Sequence, residues 1–255
     1  MLFRAELRKI LPYRTVWIIL LLFALLLTGF VAMSGGTVIN GKPIGNSLYA
    51  FPELWSRLGY VASYFNLLLG ILLIILITDE FQFRTFRQQV IDGLSRAELV
   101  QAKLGVAGAL VVYATLVVLA VGLFFGLTRG PQPAPGAITA DLSAVALYAL
   151  QALGYLSLAA LLAFLVRKSG AAIISFLVYM WIAEPLLRSQ LPDELDRYFP
   201  AKLLGSLTPT PGQELLTTVT GPTGALTPAQ AVPFALAYIA LFWGLSYLLL
   251  RNRDL

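Results

Sequence analysis

The chain has 255 residues, 58% of them hydrophobic and only 12% charged, with a mean hydropathy of +0.81; a soluble domain carries roughly one quarter charged residues, so this is the composition of a membrane protein. It has no Cys and no His, which excludes disulfides, thiol nucleophiles, haem ligation, His-bound zinc, and both HExxH and Ser-His intramembrane proteases. Its net charge of +5 sits at the ends of apolar runs, where basic residues act as orientation signals, and leaves no nucleic-acid footprint.

The first residues, MLFRAELRKILPYR, place Phe3, Leu7, Ile10 and Leu11 at helical spacing with Arg4, Glu6, Arg8 and Lys9 elsewhere on the wheel. That pattern is either a helix lying flat at the interface or a basic flank that orients the first span. Six apolar runs follow, at Val16 to Met33, Gly59 to Thr78, Leu104 to Leu127, Leu142 to Val166, Gly170 to Leu187 and Ala231 to Leu250. Each is long enough, at roughly 20 residues, to cross about 30 Å of hydrocarbon as a helix. The first is too long for a signal peptide, and the Ala32 to Ser34 stretch is a poor cleavage site, so the span is expected to be retained. The whole chain, 1–255, reads as one all-α polytopic membrane domain.

After the first span, Gly36 to Gly45 reads GTVINGKPIG, one residue short of a phosphate-cradling loop. Pro43 follows Lys42 where such a loop needs a magnesium-binding hydroxyl, and neither a strand pattern nor an immediate helix flanks it. We read it as a turn-rich outer loop. The chain itself is not expected to hydrolyse ATP, to bind a cofactor or metal, or to be an enzyme.

In the second span, Asn66 is read as a polar contact between helices or a lining residue of a substrate path. Between the second and third spans, Thr78 to Leu104 is the most informative stretch. Phe83, Phe86, Val90 and Leu94 form an apolar stripe, with Thr85, Gln88, Gln89 and Asp92 opposite. Gly93 is a natural helix end, and Ser95 with Glu98 makes a capping box from which a new helix starts near Arg96. The segment at 80–98 is thus an amphipathic helix, a break and a re-entering helix. Gly122 and Gly126 match GxxxG, a weak pairing motif, and Arg129 to Gly136 reads as a stiff loop.

Glu184, late in the fifth span, has two readings: a substrate-path or gate contact, paired with Arg188 one turn later, or an interfacial carboxylate touching water. The outer segment at 188–230 is rich in Pro and Thr. Thr210 to Gln213 and Thr227 to Gln230 each place Thr at an N-cap, Pro next and Gln third. The second starts the sixth span; the first predicts a short helix over 211–219, and another is expected over 192–198. With the N-terminus inside, twelve of the 18 basic residues fall on the inner side, and only Lys42, Arg57, Arg129, Arg188, Arg197 and Lys202 fall outside. Both termini are therefore expected in the cytoplasm.

On these residues the chain resembles the permease subunits of type-2 ATP-binding cassette (ABC) exporters, in the branch of bacitracin-resistance and lantibiotic-immunity permeases. That family carries an acidic residue, a Thr often followed by Arg, then Gly-x-Ser-Arg and a Lys entering the third span; here these are Glu80, Thr85, Arg87, Gly93, Ser95, Arg96 and Lys103. The chain departs from the family at Arg84, where many relatives have Gly.

The resemblance implies an ABC type-2 exporter fold in a prokaryotic cytoplasmic membrane. It also implies a coupling helix docked on a separate ABC ATPase subunit, which holds the ATP and magnesium. Arg84, Arg87, Arg96 and neighbouring apolar residues such as Phe83 and Phe86 would engage that ATPase. A second permease chain, identical or not, would complete a path lined by the second and fifth spans. The alternatives are a non-transporting assembly or immunity subunit and a membrane-embedded enzyme using groups such as Glu184 or Ser175.

Overall fold

The computed structural model describes residues 6, 8–36, 38–39, 42–43, 45–211 and 225–252. Among them, six helices are long and apolar enough to cross a membrane, the build of a multi-pass membrane protein. In chain order the elements are α1 (Arg14–Ser34), a two-residue antiparallel pair β1 (Val38–Ile39) and β2 (Lys42–Pro43), α2 (Leu54–Gln82), α3 (Thr85–Ile91) and α4 (Arg96–Thr128). Then come α5 (Leu142–Val166), α6 (Ser169–Val178), α7 (Glu184–Arg188), α8 (Asp193–Asp196), α9 (Pro200–Gly205) and α10 (Pro228–Asn252). A π-helical turn at Tyr179–Ala183 joins α6 to α7, and together they make the fifth span, Ser169–Arg188. The β pair is a local departure from an all-helical chain, and it closes the loop that holds the GTVINGKPIG stretch.

The centre of the bundle is α2 against α5. In lipid there is no hydrophobic drive between helices, so close approach through small residues does the packing. Ala152, Ala159, Ala160 and Ala163 on α5 are buried, and a Cβ on Gly70 of α2 would meet Phe176 at 2.9 Å. The GxxxG match on α4 is used the same way inside the chain: a Cβ on Gly122 would lie 2.4 Å from Trp55, and one on Gly126 would lie 2.4 Å from Phe51.

Two local sequence signals set helix starts as expected. Ser95 caps α4, with its Oγ accepting from Glu98 N at 3.2 Å while Ser95 N donates to Glu98 Oε2 at 2.8 Å. Thr227 and Gln230 exchange the same reciprocal bonds at 3.2 and 3.4 Å ahead of α10. Pro192 precedes the short helix α8. The helix expected over 211–219 and the apolar positions Phe3 and Leu7 of the N-terminal segment lie outside the described residues.

The stretch over 80–98 divides differently from the sequence expectation. Glu80 still belongs to α2, and the chain breaks at Phe83 and Arg84 before α3 begins. Arg84 takes a left-handed conformation, φ 56°. A wheel drawn through this break puts Phe83 in one stripe with Phe86, but Phe83 is 65% exposed while Phe86 is 1% exposed. Helix α3 then closes on Gly93, φ 97°, with Gly93 N donating to Val90 O and Leu94 N to Gln89 O. That is the Schellman pattern, which requires a residue at positive φ after the helix.

Candidate functional site

The N-terminal segment, the α2–α3–α4 elbow and the end of α10 gather at one end of the bundle, called here the terminal end. Arg96 Nη1 donates to the carbonyls of Leu250, at 2.8 Å, and Arg251, satisfying acceptors that a helix C-terminus leaves open. The sequence reading gave Arg96 to an ATPase surface; here its guanidinium is bonded to its own chain's last helix.

Beneath the elbow lies a buried ion cluster. Lys103 is 2% exposed, and its Nζ contacts Glu6 Oε2 at 2.5 Å and Glu80 Oε1 at 2.7 Å. Lys9 closes the ring at 3.0 Å from Glu6 and 3.5 Å from Glu80. Two acids and two bases balance, with Lys103, Glu6 and Glu80 largely buried and Lys9 half-exposed at the edge. Burial opposes the charge on Glu6, but Lys103 and Lys9 outweigh it and hold the carboxyl below its ordinary 4.5. For Lys9, burial works against the charge while Glu80 and Glu6 favour it, and the ammonium is held above its ordinary 10.5. Sequence reasoning found Glu80 and Lys103 and missed Glu6 and Lys9.

Phe86 seats α3 on this base. Its ring lies 4.7 Å from Phe81 of α2 and 6.1 Å from Phe164 of α5, centroid to centroid. Lys103 Nζ stands 5.7 Å from the same ring. Thr85 Oγ1 donates to Glu80 O at 3.2 Å, tying α3 to the last turn of α2. Val90 and Leu94 also pack inward against the core. What α3 turns outward is Arg87, Gln88 and Ile91, which follow one helical face, with Phe83, Arg84 and Asp92 exposed at its two ends.

The other end of the bundle, the loop end, holds a cavity of about 1140 Å³. It lies between α2 and the fifth span, with α5 and the stretch from Lys202 to Pro211 as its other walls. Tyr60 and Tyr64 of α2, and Met180 and Trp181 of the fifth span, stand on facing sides. Asn66 is on the floor and, as expected of a helix-to-helix contact, its Oδ1 accepts from Tyr148 of α5 at 2.9 Å.

Glu184 does something neither reading anticipated. It is fully buried, and its two oxygens accept from Ala201 N and Lys202 N, both at 2.9 Å. These are first-turn amides of α9, where a helix presents unbonded N–H groups and a partial positive charge. Glu184 is neither at the surface nor paired with Arg188; Arg188 and Lys202 instead share Asp196. Burial opposes the charge on Asp196, and the two cations overcome it and hold its carboxyl below the ordinary 3.8. The π turn has a local cause. Pro185 lacks an N–H and its ring displaces the carbonyl four residues back; just before it, Glu184 N bonds Tyr179 O, five residues back.

Among the described residues no group of three His, Cys, Asp or Glu gathers to hold a metal ion. No curated protein matches the chain. One family model does, over residues 17–255, and its description is a protein of unknown function, DUF2705. That match takes in all six apolar helices, from α1 almost entire to the end of α10, and the chain therefore belongs to the DUF2705 family.

Proposed function

We propose that this chain is the permease subunit of an ATP-driven exporter of the type-2 ABC class. In this reading it sits in a prokaryotic cytoplasmic membrane with both termini inside, and α3 is the coupling helix that meets a separate cassette ATPase. The observation that carries the reading is the outward face of α3. Arg84, Arg87, Gln88 and Ile91 are exposed together, while Phe86 on the opposite face is wedged into the bundle.

A short helix built this way transmits force as a rigid body, because displacing it displaces α2 and α5, the helices under it. The cations fix its register on a partner groove, and the apolar side chains supply contact. The cavity at the loop end, between the second and fifth spans, is the part of the path open to the far side of the membrane. The fifth span has only 17% of its most apolar window buried, which leaves that side for a second permease chain.

The test is purification from the native host in mild detergent. A cassette ATPase should accompany the chain, and the pair Arg84→Glu and Arg87→Glu should abolish its retention and its stimulated ATP hydrolysis while leaving the melting temperature unchanged. A preparation without any ATPase would contradict this reading and favour a non-transporting assembly or immunity subunit. Retention unaffected by the two reversals would remove α3 as the docking surface.

A further inference from the structure

Two carboxamides at the floor of the loop-end cavity are each held at one end only. Asn66 Oδ1 is fixed by the Tyr148 hydroxyl at 2.9 Å, and Gln151 Nε2 donates to Thr208 Oγ1 at 2.7 Å. Their other ends, Asn66 Nδ2 and Gln151 Oε1, have no hydrogen-bond partner, and each of the two residues is only 1% exposed. Both residues line the same cavity. Buried polar atoms are nearly always bonded, and leaving one unbonded is costly. Asn66 also lies about 18 Å along α2 from Leu54, at about 1.5 Å per residue.

The geometry points to a ligand-binding subsite: we propose that this floor receives a secondary amide carried within an anionic amphiphile. The proposal rests on the cavity being part of the cargo path. The chemistry selects the amide, since one unpaired end is a donor and the other an acceptor. A secondary amide offers the matching carbonyl and N–H in one rigid group; an ester offers only the acceptor, and an alkyl chain neither. Phe176, Met180 and Trp181 supply an apolar wall for the body of the molecule.

The rim supplies the charge preference. Arg57, Arg197 and Lys202 stand there against Glu53. Asp196 pairs with Lys202, whereas Arg57 and Arg197 donate to backbone carbonyls, of Ser47 and Leu48 and of Glu194. Among the described residues their charge is matched by no carboxylate. Binding draws the amide down to the two carboxamides, or swings their free ends up by side-chain rotation.

The experiment titrates the full chain, in nanodiscs of phosphatidylcholine with empty discs as blank, with N-dodecanoylglycine and with O-dodecanoylglycolate. The two probes differ only in an N–H replaced by an oxygen. The amide should bind about tenfold more tightly, the size of one buried acceptor left unpaired. In Gln151→Leu that preference should fall below about twofold with the ester's affinity retained. Equal affinities for the two probes in the unaltered chain would overturn the proposal, and so would a preference that survives Gln151→Leu. Should that variant fail to fold, the probe pair on the unaltered chain decides alone. No ATPase is present in the titration, so its outcome is separate from the transport reading. An amide preference in a chain that stimulates no ATPase would leave the site standing without the export function. Stimulated hydrolysis without an amide preference would remove the site alone.

Discussion

The two ends of the bundle fill their interiors differently, one with ion pairs and packed rings and the other with a cavity. At the terminal end Lys103, Glu6, Glu80 and Lys9 neutralise one another within 3.5 Å, and Phe81, Phe86 and Phe164 fill the space beside them. At the loop end a cavity of about 1140 Å³ remains, with one end of each floor carboxamide unbonded. In the proposed reading one end moves as a block and the other admits cargo. The contrast teaches that in a chain with so few charges, the placement of each polar group states what that region does.

The largest break in this contrast should come from Lys103→Met. Removing the cation leaves Glu6 and Glu80 buried and facing each other, and losing one partner of a buried ion pair costs about 3–5 kcal/mol. A thermal melt in detergent should fall steeply, and adding Glu80→Gln to the variant should recover part of the loss. A melt unchanged by Lys103→Met would mean that the cluster does not brace the elbow.

At the loop end Glu184→Ala should cost less, about 1–3 kcal/mol, by leaving the Ala201 and Lys202 amides of α9 unbonded. Proteolysis of the segment after Arg188 reads this directly, since α9 would no longer be pinned to the fifth span.

Much of this was legible where the signal is local. Ser95 with Glu98, Thr227 with Gln230, and Gly93 each act within a few residues, so the chain order alone places the helix ends. Phe83 was misplaced because a helical wheel presumes an unbroken helix, and the left-handed turn at Arg84 rotates α3 away from α2. Lys103 and Glu6 meet across 97 positions, and Tyr148 reaches Asn66 across 82. Such partners are chosen by packing of whole helices, which no spacing rule encodes. Glu184 misled for a related reason: Arg188, one turn on, was the local partner available to a wheel, while the amides it accepts from lie on α9, beyond α8.

A smaller effect follows from pH. The carboxyl of Glu6 is held below 4.5 in the docked N-terminal segment, so the docked form binds that proton less readily than the released form. Its contribution is therefore present above about 4.5 and is lost as pH falls below it. Lys9 is held above 10.5, so its contribution is present below that value and is lost as pH rises past it. Hydrogen exchange at residues 8–10 should be slow across the interval between and should accelerate on acidification. Acceleration already at neutral pH would show that the cluster does not hold the segment.

The smallest and sharpest change is Arg84→Gly. A non-glycine residue in the left-handed region pays on the order of 1–2 kcal/mol, and glycine recovers part of that despite its greater freedom when unfolded. The variant should melt slightly higher while binding an ATPase less well, since the exposed cation is gone.

The central claim is that α3 receives a motor on its outward face. The chain contains no Cys, so single cysteines can be introduced without background. In native membranes, Gln88→Cys and Ile91→Cys should each form a cross-linked adduct containing a cassette ATPase, and the inward-packed Val90→Cys should not. Adducts of equal yield from all three positions, or none from Gln88→Cys and Ile91→Cys, would contradict the account.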